Sequence, residues 1–144
     1  MLEIYRELAR FERLPPPDEA EASRLAAMIF DDGRLEAMVA EVDGSIQGIA
    51  VFSEGIGSSF RARPMLFLED LAVSEAARSR GVGTALMAAL AREAVARKAL
   101  RMEWAVLDWN VDAMRFYRRL GAGPRKDWVQ YTLDEDGVKR LAEG

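Results

Sequence analysis

One stretch, from Met65 to Leu90, constrains the fold of this chain more than any other. It begins with MLFLEDLAV, residues 65–73, a nearly continuous apolar run that predicts a buried β-strand. RSRGVGTALM, residues 78–87, then leads into helix-forming residues and predicts a helix over 82–98. Glycine is a poor helix former, so two glycines at a helix entrance indicate that something approaches the backbone closely there.

An anion fits this entrance best. The N–H groups of a first helical turn lack intrahelical partners and carry the positive end of the helix dipole. Gly81 and Gly83 let a phosphate reach those groups, and Arg78 and Arg80 can add charge-assisted hydrogen bonds. The loop lacks the Lys-Ser/Thr of a P-loop and the third glycine of a dinucleotide fingerprint. On its own, the pattern leaves open a loop in which the glycines only make a tight turn.

The rest of the chain predicts alternating helices and strands. We expect helices over 2–13, 18–30, 111–120 and 135–142, with Asp18 and Asn110 as N-caps and Gly121 as a C-cap. We expect strands over 37–42 and 45–53, joined by a turn at Asp43-Gly44, and further strands over 101–107 and 127–133. In the helix over 82–98, the predicted buried stripe comprises Val82, Ala85, Leu86, Ala89 and Leu90. This order predicts one α/β domain over residues 1–144, a mixed sheet with flanking helices.

Composition excludes several kinds of chemistry. The chain has no cysteine and no histidine, which rules out disulfides, thiol and imidazole catalysis, and Cys/His zinc sites. Its formal net charge of −4 argues against a general nucleic-acid binder and is compatible with a cationic substrate. No apolar run reaches the length of a membrane span and no signal peptide is visible, so we expect a cytoplasmic protein with no membrane partner.

The glycine motif is accompanied by further segments that together resemble one family. This part of the chain resembles the acetyl-CoA signature of the GCN5-related N-acetyltransferase (GNAT) superfamily. It has a predicted strand, then the motif Arg78-x-x-Gly81-x-Gly83-Thr84, and then a predicted helix. The resemblance covers nearly the whole chain and points to the branch of spermidine/spermine and thialysine N-acetyltransferases. Its other segments are ARFE (9–12), SSFRARP (58–64), FLEDLAV (67–73), AVLDWN (105–110), FYRRLGA (116–122) and the tryptophan of DWVQYTL (127–133).

The resemblance implies a GNAT fold, with a mostly antiparallel sheet, and acetyl-CoA as acyl donor. The family usually opens with an edge strand, whereas this sequence begins with a helical pattern, so we expect that strand to be missing. The loop amides would hold the coenzyme pyrophosphate, and exposed main chain of the preceding strand would pair with pantetheine. The implied cofactor-binding residues are Leu71, Ala72, Val73, Arg78, Ser79, Arg80, Gly81, Val82, Gly83, Thr84 and Asn110.

Two residues receive catalytic roles from the resemblance. Tyr117 matches the family tyrosine that protonates the leaving thiolate; an amphipathic core aromatic is the alternative. Glu69 matches the residue that contacts the substrate amine, where it either assists proton removal or acts only as an electrostatic anchor. Successive strand residues point to opposite faces, so we expect only one of Glu69 and Asp70 to face the substrate, unless a bulge intervenes.

The implied acceptor site adds Phe11, Glu12 and Trp128. Phe11 and Glu12 match an aromatic-Glu pair at the substrate mouth, and Glu12 can equally be a solvated charge at a helix end. Trp128 matches a substrate-site aromatic that can face a cation, or it packs in the core.

We therefore expect an N-acetyltransferase that transfers acetyl directly to a primary amine of a polyamine-like or lysine-like acceptor, without a metal and as a homodimer. Another small amine or a protein amino group is the alternative acceptor. A non-catalytic acyl-CoA-binding module is the alternative from another class.

Overall fold

A sheet of four strands, which lie side by side in chain order, forms the centre of the first part of the molecule. The computed structural model describes residues 1–144. These residues form two compact units, Met1–Leu107 and Asp108–Gly144. Assignment of both units to one acetyltransferase domain stays a prediction. The strands are β1 (Glu36–Val42), β2 (Ser45–Ser58), β3 (Arg63–Val73) and β4 (Met102–Glu103).

The sheet is mixed and mostly antiparallel, as expected. β1 and β2 form a hairpin whose turn residues, Asp43 and Gly44, have φ values of 52° and 76°. Positive φ at both central positions is the backbone of a type I′ turn, which Asp-Gly favours. β2 and β3 are also antiparallel, whereas β3 and β4 are parallel.

Two helices of the first unit precede the sheet. α1 (Leu2–Glu12) ends at Arg13, whose backbone is left-handed, just before the run of prolines. α2 (Glu19–Phe30) begins with the capping box of Asp18 and Glu21, which confirms Asp18 as its N-cap. α1 packs on β2 and β3 through a cluster in which Ile4, Ile49 and Ala72 are buried.

The helix that follows the glycine loop, α3 (Val82–Ala96), packs on β1, β2 and β3. It lies so close to β2 that a Cβ on Gly48 would stand 2.8 Å from Cγ1 of Val82, so only glycine fits there without a shift. After α3, Arg97 forms a bidentate ion pair with Glu36 of β1, with both distances 2.6 Å, and a 2.7 Å bond to Glu93. These bonds tie the end of α3 to the edge of the sheet.

The predicted stripe of α3 was partly wrong. Val82, Leu86 and Leu90 are buried, but Ala85 is exposed and Ala89 only partly buried, while Met87 and Ala94 are buried instead. Four of the five buried positions follow the i, i+4 row from Val82 to Ala94; Ala85 and Ala89 lie on one side of that row and Met87 on the other.

Two strand predictions also need correction. The strand expected over 101–107 is paired only at Met102 and Glu103, and the segment 127–133 forms no strand. A strand requires a neighbour that accepts its main-chain hydrogen bonds, and the ladder of β4 ends at Glu103.

The second unit contains α4 (Val111–Arg119) and α5 (Glu135–Ala142), near their predicted positions. Gly121, with φ of 87°, follows α4 in the left-handed conformation expected of a C-cap. None of the helices in the structure combines the length and apolar character needed to cross a bilayer.

Candidate active site

The loop that opens α3 leaves its backbone donors unoccupied by side chains. Ser79 and Gly81 have positive φ values of 61° and 80°, and Gly81 is the N-cap of α3 without a side-chain capping bond. The first α-helical bond runs from the N–H of Ala85 to the carbonyl of Gly81, at 2.9 Å. The N–H groups of Val82, Gly83 and Thr84 therefore lie in the first turn, which contains no acidic residue. This end of α3 is suited to an anion.

The two arginines of the loop lie at the surface beside acidic groups. Arg78 is 3.8 Å from Glu75, and Arg80 is 3.4 Å from Asp43 in the β1–β2 turn. Exposed ion pairs of this kind contribute little, on the order of 0–1 kcal/mol, so a bound phosphate can compete for either guanidinium.

The main chain of β3 loses its neighbour on one side. Its parallel ladder with β4 is limited to Leu66↔Met102 and Phe67↔Glu103, whereas its ladder with β2 continues to Gly48↔Val73. From Leu68 to Val73, the edge of β3 that faces away from β2 has no paired strand. The three predicted pantetheine-binding residues lie in this unpaired stretch.

A β-bulge occurs where the two carboxylates interrupt β3. Val51 pairs with Asp70 and Phe52 with Leu68, so Glu69 is the extra residue. The simple alternation expected for Glu69 and Asp70 is therefore broken, because a bulge changes the direction of neighbouring side chains. Glu69 is exposed and accepts a 3.2 Å hydrogen bond from Ser53, while Asp70 is partly buried and accepts a 2.8 Å bond from Tyr5.

The end of α1 brings a third carboxylate towards this bulge. Burial raises the pKa of Glu12, and the negative charge of Asp70 raises it further, which indicates that the two groups sense one another. Phe11, the neighbour of Glu12, is 45% exposed and does not belong to the core. The structure thus brings Glu12, Glu69 and Asp70 to one region of the first unit.

Asn110 and Tyr117 belong to α4 in the second unit. Asn110 caps the helix as predicted, because its Oδ1 accepts a 3.1 Å bond from the N–H of Ala113. Tyr117 is half-buried and packs edge-on against Phe116, with ring centroids 5.2 Å apart. Burial raises the pKa of the Tyr117 phenol, so it retains its proton at neutral pH.

Trp128, also in the second unit, is 69% exposed. The guanidinium of Arg125 lies over its ring, 4.3 Å from the centroid. Trp128 therefore already makes a cation–π contact with the chain itself. The core packing considered for this residue is wrong.

Sequence reasoning missed the partner groups Tyr5 and Ser53. Tyr5 had a detectable signal, since it lies seven residues before Glu12, and positions i and i+7 share one face of a helix. Ser53 had none, because its proximity to Glu69 depends on the register of β2 and β3 and on the bulge.

Comparisons with known proteins agree on one family. The model of the acetyltransferase (GNAT) family matches residues 1–122. An L-ornithine N5-acetyltransferase of Arabidopsis thaliana is 37% identical over 83 residues, which span 58% of this chain and 36% of that enzyme. The thialysine N-epsilon-acetyltransferase of Mus musculus is 29% identical over 99% of this chain and 89% of its own length.

Solved structures share the fold. An integron cassette protein from the mobile metagenome of V. cholerae superposes with a TM-score of 0.82 at 22% identity, over 99% of this chain and 90% of its own. A probable acetyltransferase gives a TM-score of 0.82 at 20% identity, over 92% of this chain and 87% of its own.

Proposed function

This chain belongs to the GNAT family of acetyltransferases, and we propose that it transfers acetyl from acetyl-CoA to a primary amine of a small cationic acceptor. The acceptor class is polyamine-like or lysine-like. The names of the thialysine and ornithine acetyltransferases support this class, since each refers to a small molecule with more than one amino group.

The observation that carries the proposal is the unpaired edge of β3 directly before the uncapped start of α3. A long, thin ligand that ends in a pyrophosphate suits this arrangement. Its pantetheine arm pairs with the main chain of Leu71, Ala72 and Val73, and its phosphates accept bonds from the N–H groups of Val82, Gly83 and Thr84. Arg78 and Arg80 contribute positive charge to the phosphates, and Ser79 and Gly81 give the loop its shape.

The acceptor amine is recognised by charge. Glu12 and Glu69 are acidic groups of the first unit, and no Lys or Arg forms an ion pair with either. A cationic amine relieves the repulsion between such carboxylates, whereas a neutral acceptor leaves it uncompensated. Phe11 adds an exposed apolar surface. The acceptor role that the resemblance implies for Trp128 stays a prediction.

The chemistry is direct transfer. An amine with a pKa near ~10 must lose a proton before it attacks. Glu69 is the candidate to take that proton directly or through water, the alternative being that it only anchors the amine by its charge. The amine nitrogen then forms a C–N bond with the thioester carbonyl carbon while the C–S bond breaks. Tyr117 donates its phenolic proton to the departing thiolate, a role for which its retained proton qualifies it. The extra proton of the acylated nitrogen leaves to solvent, from which the Tyr117 phenolate is reprotonated. Asn110 binds the coenzyme from the start of α4.

The test measures free thiol released from acetyl-CoA with spermidine, L-ornithine, thialysine and n-butylamine. Because the chain has no cysteine, a thiol reagent reports only coenzyme A. We expect the first three amines to outcompete n-butylamine. The panel also contains a neutral amine and an acidic peptide. If these two react and spermidine, L-ornithine and thialysine do not, the acceptor class is refuted but the transferase activity is not.

Glu69→Gln separates the two roles of that carboxylate. A larger loss of kcat/KM for spermidine than for n-butylamine identifies an anchor, while an equal loss in kcat identifies the route of proton removal. Glu41→Gln, at an exposed position of β1, is the matched control.

The homodimer and the cytoplasmic location stay predictions. Light scattering of the purified protein tests the former.

A further inference from the structure

The contact between α1 and the bulge of β3 contains a hydrogen bond that has no role in the proposed reaction. The hydroxyl of Tyr5 donates to Oδ2 of Asp70 across 2.8 Å. The two residues are 65 positions apart in sequence, so this bond fixes the helix and the bulge relative to each other. It engages one carboxylate oxygen of Asp70.

Tyr5 is well placed to hold that oxygen still. Its ring packs against the buried cluster of Ile4, Ile49 and Ala72, and its hydroxyl donates to Asp70. The packing therefore fixes the ring while the hydroxyl is directed at the carboxylate. An anchored tyrosine loses little further freedom when it donates. The bond is therefore a fixed feature of the α1–β3 junction.

The surroundings of Asp70 are otherwise acidic. Glu12 and Tyr5 of α1 and Glu69 of β3 are the titratable groups that face this region. None of the three carboxylates forms an ion pair with a Lys or Arg. Burial raises the pKa of Asp70, and the hydrogen bond from Tyr5 opposes that rise.

We propose that Tyr5 is a positioning residue that holds Asp70 as an oriented anion beside Glu69, and that Asp70 thereby contributes to binding the cationic acceptor. This inference rests on the proposed function. A phenol suits the task because it favours the ionised carboxylate without bringing a positive charge. An arginine in its place would neutralise the site and repel the acceptor.

The first experiment follows the carboxyl carbon of Asp70 by NMR while pH is varied, in the wild type, Tyr5→Phe and the control Tyr131→Phe. Tyr131 is an exposed tyrosine to which the proposed function assigns no role. We expect Tyr5→Phe to raise the pKa of Asp70, because the bond that favours its anion is lost, and Tyr131→Phe to leave it unchanged. An unchanged pKa in Tyr5→Phe would overturn the proposal without any reference to activity.

The second experiment measures kinetics with spermidine. Removal of a hydrogen bond to a charged group corresponds to a factor of about 10 or more, so we expect KM for spermidine to rise about tenfold in Tyr5→Phe. The acidic limb of its kcat/KM profile should move to higher pH, since Asp70 then takes up its proton sooner. KM for acetyl-CoA should not change. A merely structural role would instead lower activity without moving the acidic limb.

A double-mutant cycle completes the test. Asp70→Asn retains an oxygen that accepts from Tyr5 but has no charge, so Tyr5→Phe should cause no further rise in KM in that background. An equal rise in both backgrounds would overturn the proposal. A wild-type protein that acetylates no amine would refute the proposed function and the acceptor role with it, whereas the NMR titration alone decides whether Tyr5 controls Asp70.

Discussion

Replacement of Gly81 by alanine tests the anion loop most directly, because the structure allows its two effects to be separated. Gly81 has φ of +80°, and nothing lies within 4 Å of the position that a Cβ would occupy. The substitution thus introduces backbone strain without a clash. Strain of this kind costs about 1–2 kcal/mol, which corresponds to a decrease in Tm of roughly 3–8 °C for a chain of this size.

The effect on acetyl-CoA should be larger than the strain alone explains. The new methyl group lies at the N-cap of α3, where a phosphate must approach the first-turn N–H groups. Loss of one hydrogen bond to a charged group costs about 2 kcal/mol, which weakens acetyl-CoA binding by a factor of about 30. At a ligand concentration of ~100 times the wild-type Kd, stabilisation by acetyl-CoA should fall from about 2.7 to about 0.9 kcal/mol.

Differential scanning fluorimetry with and without acetyl-CoA measures both effects. Gly33→Ala is the matched control, since Gly33 has φ of +61°, lies in the same unit and has no atom within 4 Å of its Cβ position. We expect both variants to lose stability and only Gly81→Ala to show a reduced ligand-induced shift. If both variants keep the full shift, the phosphate does not bind at the start of α3.

Two further predictions concern proton transfer and pH. Tyr117→Phe should lower kcat by about 10²–10⁴ while acetyl-CoA affinity is preserved, because a proton donor acts only in the transition state; stopped-flow thiol release checks this, and near-normal turnover with rate-limiting chemistry would contradict it. Glu36→Gln should destabilise the fold at pH 7 by about 1 kcal/mol, the scale of a partly exposed pair. Arg97 lowers the pKa of Glu36 in the folded state, so the stabilisation is present above the ordinary carboxyl pKa and is lost as pH falls through the lowered value. Urea denaturation from pH 7 to 3 should therefore show that the difference in free energy of unfolding between the wild type and Glu36→Gln disappears. A difference that stays constant over this range would contradict the prediction.

Local signals in the sequence predicted most of the elements. Asp18 and Asn110 each accept a hydrogen bond from a nearby backbone N–H as the expected N-caps, and Asp43 and Gly44 have the positive φ values of the expected turn. Such features depend on a few neighbouring residues and can be derived without knowledge of the tertiary structure.

The predictions failed where the structure depends on pairing between segments that are distant in sequence. The segment 127–133 has the composition of a strand but has no partner ladder, and sequence pattern does not reveal where a neighbouring strand ends. The bulge at Glu69 depends on the register of two strands, so alternation along one of them could not place the Glu69 and Asp70 side chains. The helical spacing of Tyr5 and Glu12 placed Tyr5 on the same face of α1, but the bond from Tyr5 to Asp70 joins residues 65 positions apart and could not be derived from that spacing.

The short ladder between β3 and β4 has a consequence for how this enzyme can change. In the proposed complex the donor is read through main-chain atoms of Leu71, Ala72 and Val73, while Ala72 packs its side chain in the core against Ile49. At Ala72, recognition of the donor and stability of the core would therefore be carried by different atoms of the same residue. Substitutions that repack the interior can accumulate along β3 without altering the choice of coenzyme. In the same proposal, acceptor preference depends on the side chains of Glu12 and Glu69, so it can diverge independently of both.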